Sequence, residues 1–259
     1  MAEVAADPVR DQLAEDYSSV RATTEGLAAP LSPEDQTIQS MPDVSPTKWH
    51  RGHTSWFFET FVLPLERPDY QPYDPAFGYI FNSYYEAVGA RHPRSERGLV
   101  SRPGVSEVTD YRGHVDKVMA EVLDGPVSNR TASLVELGIH HEQQHQELLL
   151  MDIKHVLSCS PIAPAYRRAE DPLHAAGVSR VRSSGWIEHP GGLVEIGHGG
   201  QGFCFDNEMP SHAVQLVPFA LSDRLVTCGD WLAFMHDGGY ERPELWLSDG
   251  WAVVQQQGW

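Results

Sequence analysis

Cysteine is scarce in this chain, with three in 259 residues, at Cys159, Cys204 and Cys228. They are odd in number and far apart, so they form neither a disulfide framework nor a C-x-x-C metal site. That usage predicts reduced thiols in a cytoplasmic protein. Positive charge is scarce too. Nineteen Lys and Arg stand against 36 Asp and Glu, a formal net charge of −17. This balance argues against a nucleic-acid partner, which needs a basic face, and against docking on an anionic membrane surface. No apolar run reaches the roughly 18 residues of a membrane-spanning helix. The first residues, MAEVAADPVRDQ, have no basic start and no apolar core, which predicts no export signal. There is no internal repeat and no low-complexity tract. What is abundant is histidine, 13 in all.

The pattern along the chain predicts an α+β multidomain protein. Residues 1–160 read as a helical bundle with long connections. Apolar positions at helical spacing mark a helix over residues 7–28. Ser45-Pro46 opens a second, with serine as N-cap and proline at the first helical position. Residues 75–88 predict a shorter helix closed by Gly89, residues 104–124 another, and Thr131 to about Leu157 the longest. Residues 161–185 read as a linker. From 186 to 259 the signals turn to strands and Gly-rich turns, with one helix over Cys228–His236. About four strands make a thin core for an independent domain. The expectation is therefore a fragment of a longer protein.

The sharpest local signal is His140-His141-Glu142-Gln143-Gln144-His145. On a helix His141 and His145 share a face. Leu134, Leu137, Gly138, Leu148, Leu149 and Asp152 continue it, and Gly138 would let a neighbouring helix approach closely. A core-facing stripe with two imidazoles in its middle points to a metal, because each buried, unpaired imidazole costs about 1–3 kcal/mol. The alternative is a pair of hydrogen-bonded core histidines. His141-Glu142-x-x-His145 is also literally H-E-x-x-H, the zinc-protease pattern with Glu142 as general base. Its extended form fails at Leu148 and Met151. A third ligand is available upstream in Trp49-His50-Arg51-Gly52-His53. His53 shares a helical face with Trp49, Trp56 and Phe57, and His50, rotated off that face, is the second choice. Three neutral ligands leave positions open for substrate and dioxygen, as in non-haem iron sites, though imidazole suits zinc and nickel as well. Arg91, His92, Arg94 and Arg97 form a basic cluster in an acidic chain. They read either as a solvated loop or as a clamp for substrate carboxylates.

Three long stretches carry a wider resemblance: SPTKWHRGHTSWFFETFVLP, IFNSYYEAVGARHPRSERG and GIHHEQQHQELLLMDIKH. They resemble the N-terminal DinB-like four-helix bundle of the sulfoxide synthases of ergothioneine biosynthesis. GGLVEIG, GFCFDNEMPSHAVQL, RLVTCGDWLAFMHDGGY and RPELWLSDGW resemble the start of the formylglycine-generating-enzyme-like (C-type-lectin-like) domain that follows it in that family. The resemblance implies a non-haem Fe(II) enzyme that uses dioxygen to join a thiol to the imidazole of hercynine and oxidise the sulfur. The thiol is γ-glutamylcysteine or cysteine. It also implies iron ligands at His53, His141 and His145, with Gln144 near the bound imidazole. Arg94 and Arg97 fall at the family's positions for the thiol substrate's carboxylates. Arg51 and Cys228 depart from the family pattern. The family's tyrosine proton donor is expected beyond Trp259, and neither Tyr240 nor the 205–208 string takes that role. The expectation is that this chain alone binds metal and makes little sulfoxide. The rival readings are an ovothiol-type or selenium-using relative, and a truncated, inactive metal-binding protein.

Overall fold

The computed structural model describes residues 8–83, 88–167 and 185–259. Helices and small antiparallel sheets make it a mixed α and β protein. The chain divides into two compact units, Met1–Ala176 and Gly177–Trp259. Of the linker expected at 161–185, residues 168–184 lie outside the described residues.

Four long helices build the first unit: α1 (Pro8–Ala28), α2 (Thr47–Phe61), α5 (Val105–Leu123) and α6 (Asn129–Ser158). The short α3 (Leu63–Glu66) and α4 (Phe77–Ile80) lie between α2 and α5. Tyr17, Trp56, Phe57, Phe58, Val108, Tyr111, Val115, Met119, Val135 and Ile139 interlock as one core. α2 is central, and every residue from Thr47 to Glu59 is buried. Its polar residues tolerate this because each finds partners. Lys48 Nζ donates to the carbonyls of Ser101 and Pro103. Arg51 ion-pairs with Glu25 and donates to Gln36 and Thr109. Glu59 accepts from the hydroxyls of Tyr70 and Tyr111.

Three element boundaries differ from the sequence expectation. Pro46, not Ser45, is the N-cap of α2. Ser45 is drawn into tertiary bonds instead: its N–H donates to Asp152 Oδ2 at 2.8 Å and its hydroxyl accepts from Arg97. The helix expected over 75–88 shrinks to the single turn of α4, with residues 84–87 outside the described set. The carbonyls that would extend it are claimed by α2, since Trp49 Nε1 donates to Ile80 O and His53 Nδ1 to Phe81 O. α6 starts two residues early because the Ser128 hydroxyl accepts from Thr131 N.

In the second unit, β1 (Trp186–His189) pairs antiparallel with β4 (Phe219–Ser222), and β2 (Gly192–Ile196) with β3 (His212–Leu216). α7 (Cys228–His236) begins at a capping box. Thr227 Oγ1 accepts from Asp230 N, and the Asp230 carboxylate accepts from Thr227 N. α8 (Ser248–Gln257) was not anticipated. Tyr240 packs among Trp231, Phe234, Trp246 and Trp259. No described helix is long and apolar enough to cross a membrane.

Candidate metal centre

His53 lies mid-way along α2, and His141 and His145 lie one turn apart at the middle of α6. The two helices approach closely at Gly138, where even a methyl group would collide with the rings of Phe57 and Phe58. This contact brings the three imidazoles together, with one nitrogen from each within 4.8 Å of the others. His53 Nε2 is 3.2 Å from His141 Nε2. The His145 ring centroid is 4.6 Å from both other rings.

The surroundings decide the chemical state of these rings. His53 Nδ1 donates to Phe81 O at 2.6 Å, so its lone pair is on Nε2, facing His141. Trp49 stacks on one side of His53 at 4.6 Å and Trp56 on the other at 5.5 Å. Phe57 lies 4.9 Å from His141. Burial in this aromatic wall lowers the pKa of His141 to about 4. Burial, reinforced by the neighbouring imidazoles, pushes His53 and His145 well below the ordinary histidine value. All three are therefore neutral near pH 7, which is the form that donates a lone pair to a metal.

The donor set fits a metal ion. The His53 lone pair points at His141 Nε2 at 3.2 Å, a contact that either an N–H on His141 or a cation between the two nitrogens satisfies. His141 Nδ1 is buried with no hydrogen-bond partner among the described residues. Neutral imidazole ligates zinc, iron, nickel and copper alike, so the three residues could hold a metal ion without choosing which.

Glu142 corrects the protease alternative. It turns away from the histidines into the core, where it is fully buried. Its carboxylate accepts from Arg21 at 2.9 Å, Arg112 at 3.0 Å and Thr24 at 2.6 Å. Burial alone would raise its pKa, but the two guanidiniums outweigh it and hold the group at about 2. A permanently ionised carboxylate clamped between α1 and α5 is a structural anchor and has no reach to a metal-bound water.

The other expected site residues are placed less uniformly. Arg97, in the 3₁₀ turn Arg94–Leu99, is buried with its guanidinium carbon 3.3 Å from the Trp49 ring centroid. It donates to the hydroxyls of Ser45 and Ser83. A continuous stack thus runs from Arg97 through Trp49 to His53. Arg94 is exposed and donates to Asp43 O. Gln144 is exposed on α6 beside His145. Arg91 donates to Ser83 O at 2.7 Å. His50, the second-choice ligand, is not in the cluster. It lies behind His145, with Nδ1 2.9 Å from His145 Nδ1 and Nε2 3.0 Å from Asp152 Oδ2. Asp152 continues the His141/His145 face two turns on, which is the sequence signal for its place behind the cluster.

No protein-family profile matches the chain. It is similar to proteins named hercynine oxygenase. The one from Mycolicibacterium smegmatis is 26% identical over 253 residues, covering 96% of this chain and 56% of that protein. The one from Mycobacterium tuberculosis is 25% identical over 250 residues, with the same coverage. A third, from Mycolicibacterium thermoresistibile, is 24% identical over 227 residues, covering 84% of this chain and 46% of that protein. The chain spans about half the length of these curated relatives.

Proposed function

We propose that this chain carries the metal-binding part of an Fe(II)-dependent oxygenase of ergothioneine biosynthesis that acts on hercynine. The observation that carries the reading is the set of three neutral imidazoles, one buried and two half-buried, gathered within 4.8 Å, at the positions of the W-x-x-x-H and H-E-x-Q-H motifs. The similarity to hercynine oxygenases across 96% of the chain supports the substrate. The first unit is then a DinB-like helical bundle, and residues 186–259 the start of a formylglycine-generating-enzyme-like domain in a cytoplasmic protein.

In this reading His53, His141 and His145 hold Fe(II), which when bound supplies the one-electron chemistry that ground-state dioxygen requires. The overall reaction is hercynine C–H plus thiol S–H plus O2, giving a C–S(=O) product and water. Carbon–sulfur bond formation and sulfur oxygenation each release two electrons, and together they reduce O2 fully. γ-Glutamylcysteine or cysteine supplies the sulfur. Gln144 lies beside the hercynine imidazole, and Arg94 and Arg97 meet the thiol substrate's carboxylates. The aromatic wall of Trp49, Trp56 and Phe57 keeps water from the ligand rings.

Anaerobic titration with Fe(II) tests the site. One ion per chain is expected, lost in each of His53→Ala, His141→Ala and His145→Ala. Retention of iron by both α6 variants would sink the proposal. The reaction is tested on the natural protein with iron, air, hercynine and each thiol, with the sulfoxide conjugate read by mass spectrometry. Oxygen uptake without a conjugate from either thiol would remove the thiol assignment.

A further inference from the structure

His50 and Asp152 are both buried and both lie outside the cluster of three histidines, yet they are joined to it by an unbroken line of hydrogen bonds. The line starts at Asp152 Oδ2, which accepts from Ser45 N at 2.8 Å and meets His50 Nε2 at 3.0 Å. It continues from His50 Nδ1 to His145 Nδ1 at 2.9 Å. The protons can be assigned along it. A carboxylate oxygen already receiving a backbone N–H is an acceptor, so His50 Nε2 carries the proton and donates. A neutral His50 then has its lone pair on Nδ1. Two lone pairs cannot face each other at 2.9 Å, so His145 Nδ1 is the donor. That leaves the His145 lone pair on Nε2, the nitrogen turned away from His50.

We infer that His50 and Asp152 form a positioning relay, Asp152–His50–His145, which fixes the tautomer and ring orientation of His145 and so presents its Nε2 to a metal. His53 is set in the same way by a shorter device, the Phe81 carbonyl. The two helices thus each contribute a ligand whose far nitrogen is held by a buried acceptor. His141, whose Nδ1 has no such partner among the described residues, is the ligand free to adjust. Outer partners of this kind raise ligand basicity, and their loss typically weakens metal binding 10–100-fold. The tautomer assignment stands on the hydrogen bonds of a neutral His50. The metal-presenting role rests on the metal reading above, and the two are tested separately.

Long-range ¹H–¹⁵N correlation of the imidazoles in the metal-free chain reads the tautomers directly. Expected are a protonated Nδ1 with bare Nε2 for His145, and a protonated Nε2 with bare Nδ1 for His50. The reverse pattern at either ring overturns the relay. Co(II) titration then measures its effect. His50→Phe keeps a ring in place without the bonds, and Asp152→Ala removes the terminal acceptor. Each should weaken Co(II) binding about 10–100-fold. Asp152→Asn, whose carbonyl can occupy the Oδ2 position, should restore binding to within a few-fold of the parent. Parental affinity in both His50→Phe and Asp152→Ala, with melting curves showing both folded, overturns the role. So does an Asp152→Asn variant as weak as Asp152→Ala. A parent chain with the expected tautomers that takes up no Co(II) overturns the metal-presenting role together with the metal reading.

Discussion

Two arginines three residues apart in sequence are set apart by burial. Arg94 is exposed, whereas Arg97 is buried against the indole that stacks on His53. Removing a charged hydrogen-bond partner of a substrate carboxylate costs about 1.5–3 kcal/mol, or roughly 10- to 150-fold in affinity. Under the proposed function, Arg94→Met should weaken apparent thiol affinity by that order and leave Fe(II) binding unchanged. Arg97→Met should weaken Fe(II) binding as well, because it frees Trp49 from one face of the stack. Parallel thiol and iron titrations of the two variants check this, and identical behaviour would contradict it. Glu142 offers a second test at this scale. Glu142→Gln strips the shared carboxylate from two buried guanidiniums. Asp116 and Glu25 still pair with Arg21 and Arg112, so the expected loss is at the low end for a broken buried pair, about 3 kcal/mol. Urea unfolding measures it. A cost below about 0.5 kcal/mol, typical of a surface change, would show that the network does not hold the helices.

At the scale of helices, the site exists because α2 and α6 come close at one glycine. A Cβ on Gly138 would lie 2.9 Å from Phe57 Cε1 and closer still to the ring edge of Phe58, which is fully buried. Gly138→Ala should therefore cost about 1–3 kcal/mol as an overpacked core position. It should also weaken metal uptake, because the helices that carry His53 and the α6 pair are wedged apart. Urea melts and metal titration report the two effects, and a variant as stable as the parent would mean the contact is loose. That close approach could be read from the sequence, since a lone glycine falls on the stripe that carries His141 and His145. Periodicity also located α6, α5 and α7 to within a residue or two. It failed where side chains outbid the backbone. Nothing in residues 75–88 tells that Trp49 and His53 will take the carbonyls that a longer helix needs. The H-E-x-x-H string misled for a related reason. Spacing puts Glu142 one residue from a ligand, but only the distant Arg21, Thr24 and Arg112 decide which way it faces.

At the scale of the whole molecule, the candidate site and the exposed apolar side chains fall in different units. Every residue of the three-histidine cluster and of the relay behind it belongs to Met1–Ala176. In Gly177–Trp259, Val254 is the only large apolar side chain buried among the described residues, and Leu193, Val217, Leu225 and Leu247 are more than two-thirds exposed. The seven tryptophans follow the same division. Trp186, Trp231, Trp246, Trp251 and Trp259 belong to the second unit, and Trp49 and Trp56 to the first. Those two are the rings that sandwich His53, which makes the wall of the site an optical instrument. An open-shell ion such as Co(II) held at His53 should quench the emission of both indoles, and closed-shell Zn(II) should leave most of it. In a Trp49→Phe, Trp56→Phe double variant the Co(II)-dependent dimming should shrink while the ion still binds. Fluorescence under indole-selective excitation is thus a dye-free gauge of site occupancy, built from the rings that flank His53.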